Sequence, residues 1–175
     1  MILLFPLRTI MNSMKTIYLA GGCFWGVERY FSLVKGVVTT KAGYANGTKD
    51  NPKYEDLKHG LDDASETVKI DYDENIVSLE KLLELYLRVI NPYSVNKQGE
   101  DEGVQYRTGI YYIDNSDKQV ILNYLSSVGL VDHKIEILPL KKFFDAEEYH
   151  QKYLEKNPTG YCHINFAVLK ENEKK

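Results

Sequence analysis

Ala20-Gly21-Gly22-Cys23-Phe24-Trp25-Gly26-Val27-Glu28 sets a cysteine between a glycine pair and two aromatic rings. The residues before it, Thr16-Ile17-Tyr18-Leu19-Ala20, are short and rich in β-formers. After it, Val27, Tyr30, Phe31 and Val34 recur at helical spacing. The stretch reads as strand, tight turn, helix. Gly21 and Gly22 permit a turn that a residue with a Cβ would strain. Cys23 is then expected in the first helical turn, among unpaired backbone N–H groups at the positive end of the helix dipole, where the thiolate is favoured over the thiol. That makes Cys23 a candidate nucleophile. Phe24 and Trp25 would form an apolar wall beside it, suited to an uncharged group rather than a phosphate or a sugar. Free cysteines are also common as small core residues, and spacing alone leaves that alternative open.

The 175 residues suggest one domain with a real core, and 43% hydrophobic with 27% charged residues is ordinary globular composition. With a formal net charge of −3 and lysines scattered among carboxylates, the chain offers no basic patch for a nucleic-acid backbone. Its two cysteines, far apart in sequence, form neither a metal cluster nor a secreted disulfide framework. A cytoplasmic protein with reactive thiols fits better. Residues 1–15 are expected to be an N-terminal extension of poor order, and 16–175 a single catalytic domain. The apolar opening Met1-Ile2-Leu3-Leu4-Phe5-Pro6 lacks a preceding basic residue and is too short to span a bilayer. No membrane association is expected.

Further along, 37–44 reads as a strand, followed by a Gly43-Tyr44-Ala45-Asn46-Gly47 turn and a polar loop. The segment Ser65-Glu66-Thr67-Val68-Lys69-Ile70-Asp71-Tyr72 alternates with a period of two, placing Glu66 on the face of Val68, Ile70 and Tyr72. A carboxyl drawn toward such a face is desolvated, its pKa rises, and it can hold a proton near neutral pH as a general acid. Spacing alone also allows Glu66 to reach water from the strand end. Ser78 caps a helix whose stripe Leu79, Leu82, Leu83, Tyr86 and Ile90 ends at Asn91-Pro92. A strand over 109–113, a helix over 116–127, a strand over 135–138 and a helix over 146–154 capped by Asp145 complete the order β-α-β-β-α-β-α-β-α. His150 is read as a helix histidine with structural duties. Cys162 sits in Asn157-Pro158-Thr159-Gly160-Tyr161-Cys162-His163, which proline and glycine keep irregular.

The string Gly-Cys-Phe-Trp-Gly followed by Val27-Glu28 resembles the signature of the A-type peptide methionine sulfoxide reductases, and the likeness extends over 16–168. It includes Asn51-Pro52-Lys53-Tyr54-Glu55, Gln98-Gly99-Glu100-Asp101-Glu102-Gly103-Val104-Gln105-Tyr106-Arg107, the Ala-Glu-Glu-Tyr-His-Gln run and Gly160-Tyr161-Cys162. The resemblance implies that Cys23 attacks the sulfur of methionine S-sulfoxide, free or in oxidised proteins, with Glu66 as the acid. It further implies that Phe24 and Trp25 receive the substrate methyl, that Tyr54 and Tyr106 bond the sulfoxide oxygen, and that Asp101 belongs to the same hydrogen-bond network. Arg107 is expected to be structural. Cys162 is implied as the resolving thiol that forms a disulfide with Cys23. Thioredoxin is implied as the electron donor, exchanging directly with that disulfide because no further cysteine follows. No metal or organic cofactor is implied, and a monomer is expected. The family commonly has Gly-His-Ala-Glu before and at the acid; here Asp63-Ala64-Ser65 precede Glu66, so the histidine is missing and only the glutamate carries over.

The elements fit an α+β class, a two-layer domain with helices packed on a mixed β-sheet, and the resemblance implies that its core is ferredoxin-like with long functional loops. A thiol peroxidase or disulfide oxidoreductase would also use a reactive cysteine with a resolving partner, but would need neither aromatic ring, and no Cys-x-x-Cys is present. A non-catalytic module would keep the aromatic pocket and lose the chemistry.

Overall fold

The computed structural model describes residues 13–175. Four strands form the centre of the sheet: β1 (Met14–Gly21), β2 (Val37–Ala45), β3 (Ser65–Asp73) and β6 (Thr108–Tyr112). Helix α1 (Phe24–Ser32) follows β1, and α3 (Leu79–Leu87) lies between β3 and β6. The strand order β6-β1-β3-β2, with each neighbouring pair antiparallel, is the split β-α-β arrangement of the ferredoxin-like core that the resemblance implies. Two strands extend it. β7 (Glu136–Pro139) joins β6 in parallel after the crossover through α4 (Asn115–Ser127), and β8 (Phe143–Asp145) pairs antiparallel with β2 at the other edge. Of the expected N-terminal extension, residues 1–12 lie outside the described residues, while Met14 and Lys15 already pair with Asp73 and Tyr72.

The helices cover one face of the sheet. Phe24, Val27, Tyr30 and Phe31 of α1, Leu82, Leu83 and Tyr86 of α3, and Ile121 and Leu125 of α4 meet Ile17, Leu19, Val68, Ile70 and Tyr72 in one apolar core. The alternation read from β3 holds, and Glu66 is drawn into this core-facing set at 2% exposure. A smaller cluster of Tyr18, Ala20, Ala45 and Tyr111 packs on the opposite face beneath Leu140 and Phe143. Ser78 caps α3 by accepting from the Lys81 N–H at 3.1 Å. That helix ends at Leu87, three residues before the expected end, because Arg88 and Val89 already bond back three residues rather than four and Pro92 disfavours helix before it.

The continuous helix expected over 146–154 does not form. A 3-10 turn at Glu148–His150 and one helical turn, α5 (Tyr153–Lys156), are separated by Lys152 in a left-handed conformation, with φ 51°. The cause is tertiary: the Lys152 N–H is taken by the buried Glu28 carboxylate of α1 at 2.6 Å instead of by an upstream carbonyl. Asp145 is no helix cap; it ends β8 and faces Lys41 at 3.6 Å. The loop after β2 in turn contains a short helix, α2 (Tyr54–Lys58), which its polar composition did not reveal.

The chain's end folds back over α1 and α3. Glu173 accepts from both guanidinium nitrogens of Arg88, at 2.8 and 3.0 Å, and lies 2.7 Å from the Lys81 Nζ. The segment bearing Cys162 is thereby fastened downstream by this clasp and upstream by α5.

Tyr86 connects the core to the site, since its hydroxyl donates to the Ala20 carbonyl at 2.6 Å, immediately before the glycine pair. Tyr86→Phe should lower unfolding free energy by about 1 kcal/mol, the ordinary net worth of a buried hydrogen bond, with an unchanged denaturant m-value in urea unfolding.

Candidate active site

Cys23 is the N-cap of α1, one position earlier than the spacing suggests, in a non-helical conformation with φ −55° and ψ 121°. Gly22 precedes it at φ 85°, where a side chain would be strained and would also strike Gln98, whose Cβ lies 2.6 Å from the place a Cβ would occupy. The first backbone N–H of the helix, that of Phe24, does not face empty space. It donates to the Glu66 Oε2 at 3.0 Å, so the carboxyl from the start of β3 lies directly under the cysteine.

Burial governs the electrostatics here. Glu66 is pushed up to about 8 by loss of water, against the opposing Phe24 hydrogen bond and with some help from Asp101. Below that value the carboxylic acid predominates, so Glu66 is a proton donor at neutral pH. The same effect reverses the expectation for Cys23. At 8% exposure its thiol is pushed well above the ordinary range, first by burial and then by the Glu66 charge, with only partial relief from the Trp25 backbone. The resting nucleophile is a thiol.

The aromatic residues do form a wall. The Trp25 Nε1–H donates to the His150 Nδ1 at 2.9 Å, and the indole stacks on Tyr153 with centroids 3.7 Å apart at 13°. Phe24 and Tyr54 both pack on the His150 ring, at 5.1 and 5.2 Å. His150 is therefore the hinge-pin of the wall. Burial depresses its basicity, so it meets the indole donor as a neutral ring. This is the structural duty expected of it, though on a 3-10 turn rather than a long helix.

Loops deliver the remaining candidates. Tyr54 opens α2, and its backbone N–H donates to Glu147 at 3.1 Å, while Glu147 also accepts from the Tyr44 hydroxyl at 2.9 Å. Tyr106 ends a 3-10 turn (Val104–Tyr106). The Tyr54 and Tyr106 hydroxyls interact with one another, and both phenols are raised by burial and by the neighbouring Glu66 and Cys23. Asp101 lies in a small hairpin of β4 (Lys97–Gln98) and β5 (Asp101–Glu102), 4.0 Å from the His163 Nδ1. Arg107 does what a structural residue does, bridging Glu136 at 3.0 Å and the Asp63 carbonyl at 2.8 Å. Ala64, where the expected histidine is missing, is buried in the apolar core.

Cys162 comes to the same turn. A Cβ on Gly26 would stand 2.7 Å from its sulfur, so the glycine one turn into α1 makes room for it. Both cysteines are free thiols. The structure thus gathers Cys23, Phe24, Trp25, Tyr54, Glu66, Asp101, Tyr106 and Cys162 around one helix N-terminus. Spacing missed Glu147, Glu28 and His163. Glu28 and Glu147 lie within quoted motifs, yet a glutamate that fastens a loop looks in sequence like any surface glutamate.

A cysteine at a helix N-cap over a buried acid, with a second thiol at the next turn, defines the site of a thiol oxidoreductase. The family model described as peptide methionine sulfoxide reductase matches residues 15–175. The peptide methionine sulfoxide reductase MsrA of Lachnoclostridium phytofermentans is 60% identical over 153 residues, covering 86% of this chain and 92% of that protein. Among solved structures, Mxr1 from Saccharomyces cerevisiae in reduced form aligns with TM-score 0.78 and 34% identity, covering 87% of this chain and 92% of its own. Mxr1 in complex with Trx2 aligns with TM-score 0.55 and 25% identity, covering 83% and 91% of the two chains. The chain belongs to the peptide methionine sulfoxide reductase family, of the MsrA type. It is an oxidoreductase of methionine sulfoxide.

A buried, protonated nucleophile reacts slowly with general thiol reagents. Iodoacetamide at pH 7 should modify Cys23 in the reduced protein at least about tenfold more slowly than it modifies a free thiol of ordinary pKa, as read from the rate of mass increase on the Cys23 peptide.

Proposed function

We propose that this protein reduces the S epimer of methionine sulfoxide, free or within oxidised proteins, by direct attack of Cys23 on the sulfoxide sulfur. The observation that carries this reading is the Glu66 carboxyl on the Phe24 N–H beneath Cys23, since it supplies a proton beside a buried nucleophile. The substrate methyl seats against Phe24 and Trp25. Tyr54 and Tyr106 donate hydroxyl hydrogen bonds to the sulfoxide oxygen, and Asp101 takes part in the same network. The positive end of the S–O dipole then lies over Cys23 and offsets the burial that keeps its sulfur protonated. Cys23 bonds to the substrate sulfur as Glu66 protonates the oxygen, and the thiol proton restores Glu66. Methionine leaves, and the oxygen passes to Cys23 as a sulfenic acid, so one sulfur is reduced as the other is oxidised.

Cys162 then condenses with the sulfenic acid, releasing water and forming the disulfide with Cys23. A thioredoxin dithiol reduces that disulfide. The Mxr1 complex with Trx2 supports a partner of this kind. The cycle uses no metal or organic cofactor. Residues 16–175 act as one catalytic domain, monomeric and cytoplasmic, with no nucleic-acid or membrane partner; among the described residues no helix is long and apolar enough to cross a membrane.

Reduced protein mixed with excess S-form methionine sulfoxide and no reductant should release about one equivalent of methionine. Intact mass and a cysteine map should then show Cys23 joined to Cys162, and Cys23→Ser should release none. Peroxide consumption without methionine release would instead mark a thiol peroxidase. Unchanged sulfoxide with wild-type protein would sink the reductase reading.

Glu66 sets the pH dependence of this first step. Its pKa is raised, so the acid is present below about 8 and is lost as pH rises through that value. The single-turnover rate of methionine release should fall along that limb. Glu66→Gln should remove the limb and lower the rate by about 10²- to 10⁴-fold.

A further inference from the structure

His163 follows Cys162 directly, and its side chain is only 8% exposed. Neither ring nitrogen makes a hydrogen bond of ordinary geometry, and the Gly21 backbone beside the ring raises its basicity. The ring fills space left by two positive-φ glycines: a Cβ on Gly22 would lie 3.1 Å from the His163 Cε1, and one on Gly99 would lie 2.9 Å from the His163 Cβ. The Asp101 Oδ2, also buried and unpartnered, is 4.0 Å from the His163 Nδ1. Cys162 points the other way, its sulfur resting against Gly26 and taking the Ile164 N–H at 3.3 Å. The imidazole thus lies against Gly22 and the second thiol against Gly26, the glycines that precede and follow Cys23 in the chain.

Burying an imidazole whose nitrogens lack well-formed hydrogen bonds costs free energy that a phenyl ring of similar volume would not. Packing alone does not account for histidine at this position. Burial also holds the ring below its ordinary pKa, with Asp101 and the Gly21 backbone opposing, so it is unprotonated and open to a proton at neutral pH. A nucleophilic thiol, an adjacent imidazole and a carboxylate behind the ring are the parts by which a thiol is activated by a base.

We propose that His163, oriented by Asp101, is the base of the disulfide-forming step. As the Cys162 sulfur leaves Ile164 and attacks the Cys23 sulfenic sulfur, His163 takes the thiol proton and passes it to the departing hydroxyl. One S–S bond forms, one S–O bond breaks, one water leaves and no proton is gained overall. The oxidising equivalent is the sulfenic acid made in the first half-reaction. This role rests on Cys162 being the resolving thiol.

The test is a quenched single turnover with methionine sulfoxide and no reductant, following methionine by chromatography and the disulfide by mass. Wild type, His163→Phe, His163→Ala and Cys162→Ser would be compared. His163→Phe, which keeps the ring, should still release its equivalent of methionine but close the disulfide about a hundredfold more slowly. His163→Ala should do the same, and added imidazole should restore its disulfide step but not that of His163→Phe. Disulfide closure at the wild-type rate in His163→Phe would reduce the histidine to a packing residue and overturn the proposal. So would an equal slowing of methionine release and disulfide closure in both variants. If wild type releases methionine yet leaves Cys162 free, as Cys162→Ser must, the resolving role itself fails and the base falls with it.

Discussion

One hydrogen bond, from the Phe24 N–H to the buried Glu66 carboxyl, ties the start of β3 to the start of α1 and sets the geometry of everything near Cys23. It is the product of sheet register. β3 pairs with β1 at Leu19 opposite Val68, and with β2 at Tyr44 opposite Glu66, so the carboxyl emerges where the chain leaves β1 through its glycines. A one-residue slip would turn Glu66 to the other face of the sheet. The apolar set of β3 that forbids such a slip also drives the carboxyl out of water, so one pattern both positions the acid and raises its pKa.

The same desolvation decides the state of Cys23. A helix N-terminus is worth typically 0.3–1 kcal/mol to a negative charge, and about 2 kcal/mol in favourable buried geometry. Full burial can move a pKa by about 3–5 units, at about 1.4 kcal/mol each. The dipole loses that contest here. Glu66 engages the Phe24 N–H, and the Trp25 N–H that does serve the Cys23 sulfur offsets only part of the desolvation. The site thus keeps its protons at rest, one on Cys23 and one on Glu66, and reactivity depends on what a bound sulfoxide does to that balance.

Around this bond the site is a meeting of loops held by charged clasps. Glu147 holds the Tyr54 backbone and the Tyr44 hydroxyl, Glu28 takes the Lys152 N–H where the helix is broken, and Glu173 pins the chain's end to Arg88 and Lys81. Each is a carboxylate on groups distant in sequence. Together they let irregular segments, which lack the repetitive hydrogen bonds of helix and sheet, present rings and thiols at defined places. The ring packing of His150 against Phe24, Trp25 and Tyr54 then converts three separate segments into one wall.

How much of this was legible in sequence follows from the range of each interaction. The strand, glycine turn and helix around Cys23, the alternation of Ser65 to Tyr72 and the stripe of α3 are local patterns, and they foretold a two-layer α+β domain with Glu66 on the apolar face of its strand; whether that carboxyl leaves water, and the ferredoxin-like core, came from the resemblance. The motifs around Tyr54, Asp101, Tyr106 and Cys162 were recognisable as a family resemblance, but nothing in their spacing says that they converge. What only the tertiary structure decided is the convergence itself, the broken helix at Lys152, the protonated state of Cys23 and the placing of His163 between Asp101 and the catalytic turn. The physical reason is that local patterns report which face of an element is apolar, whereas desolvation and long-range carboxylate contacts depend on what the rest of the chain packs against that face.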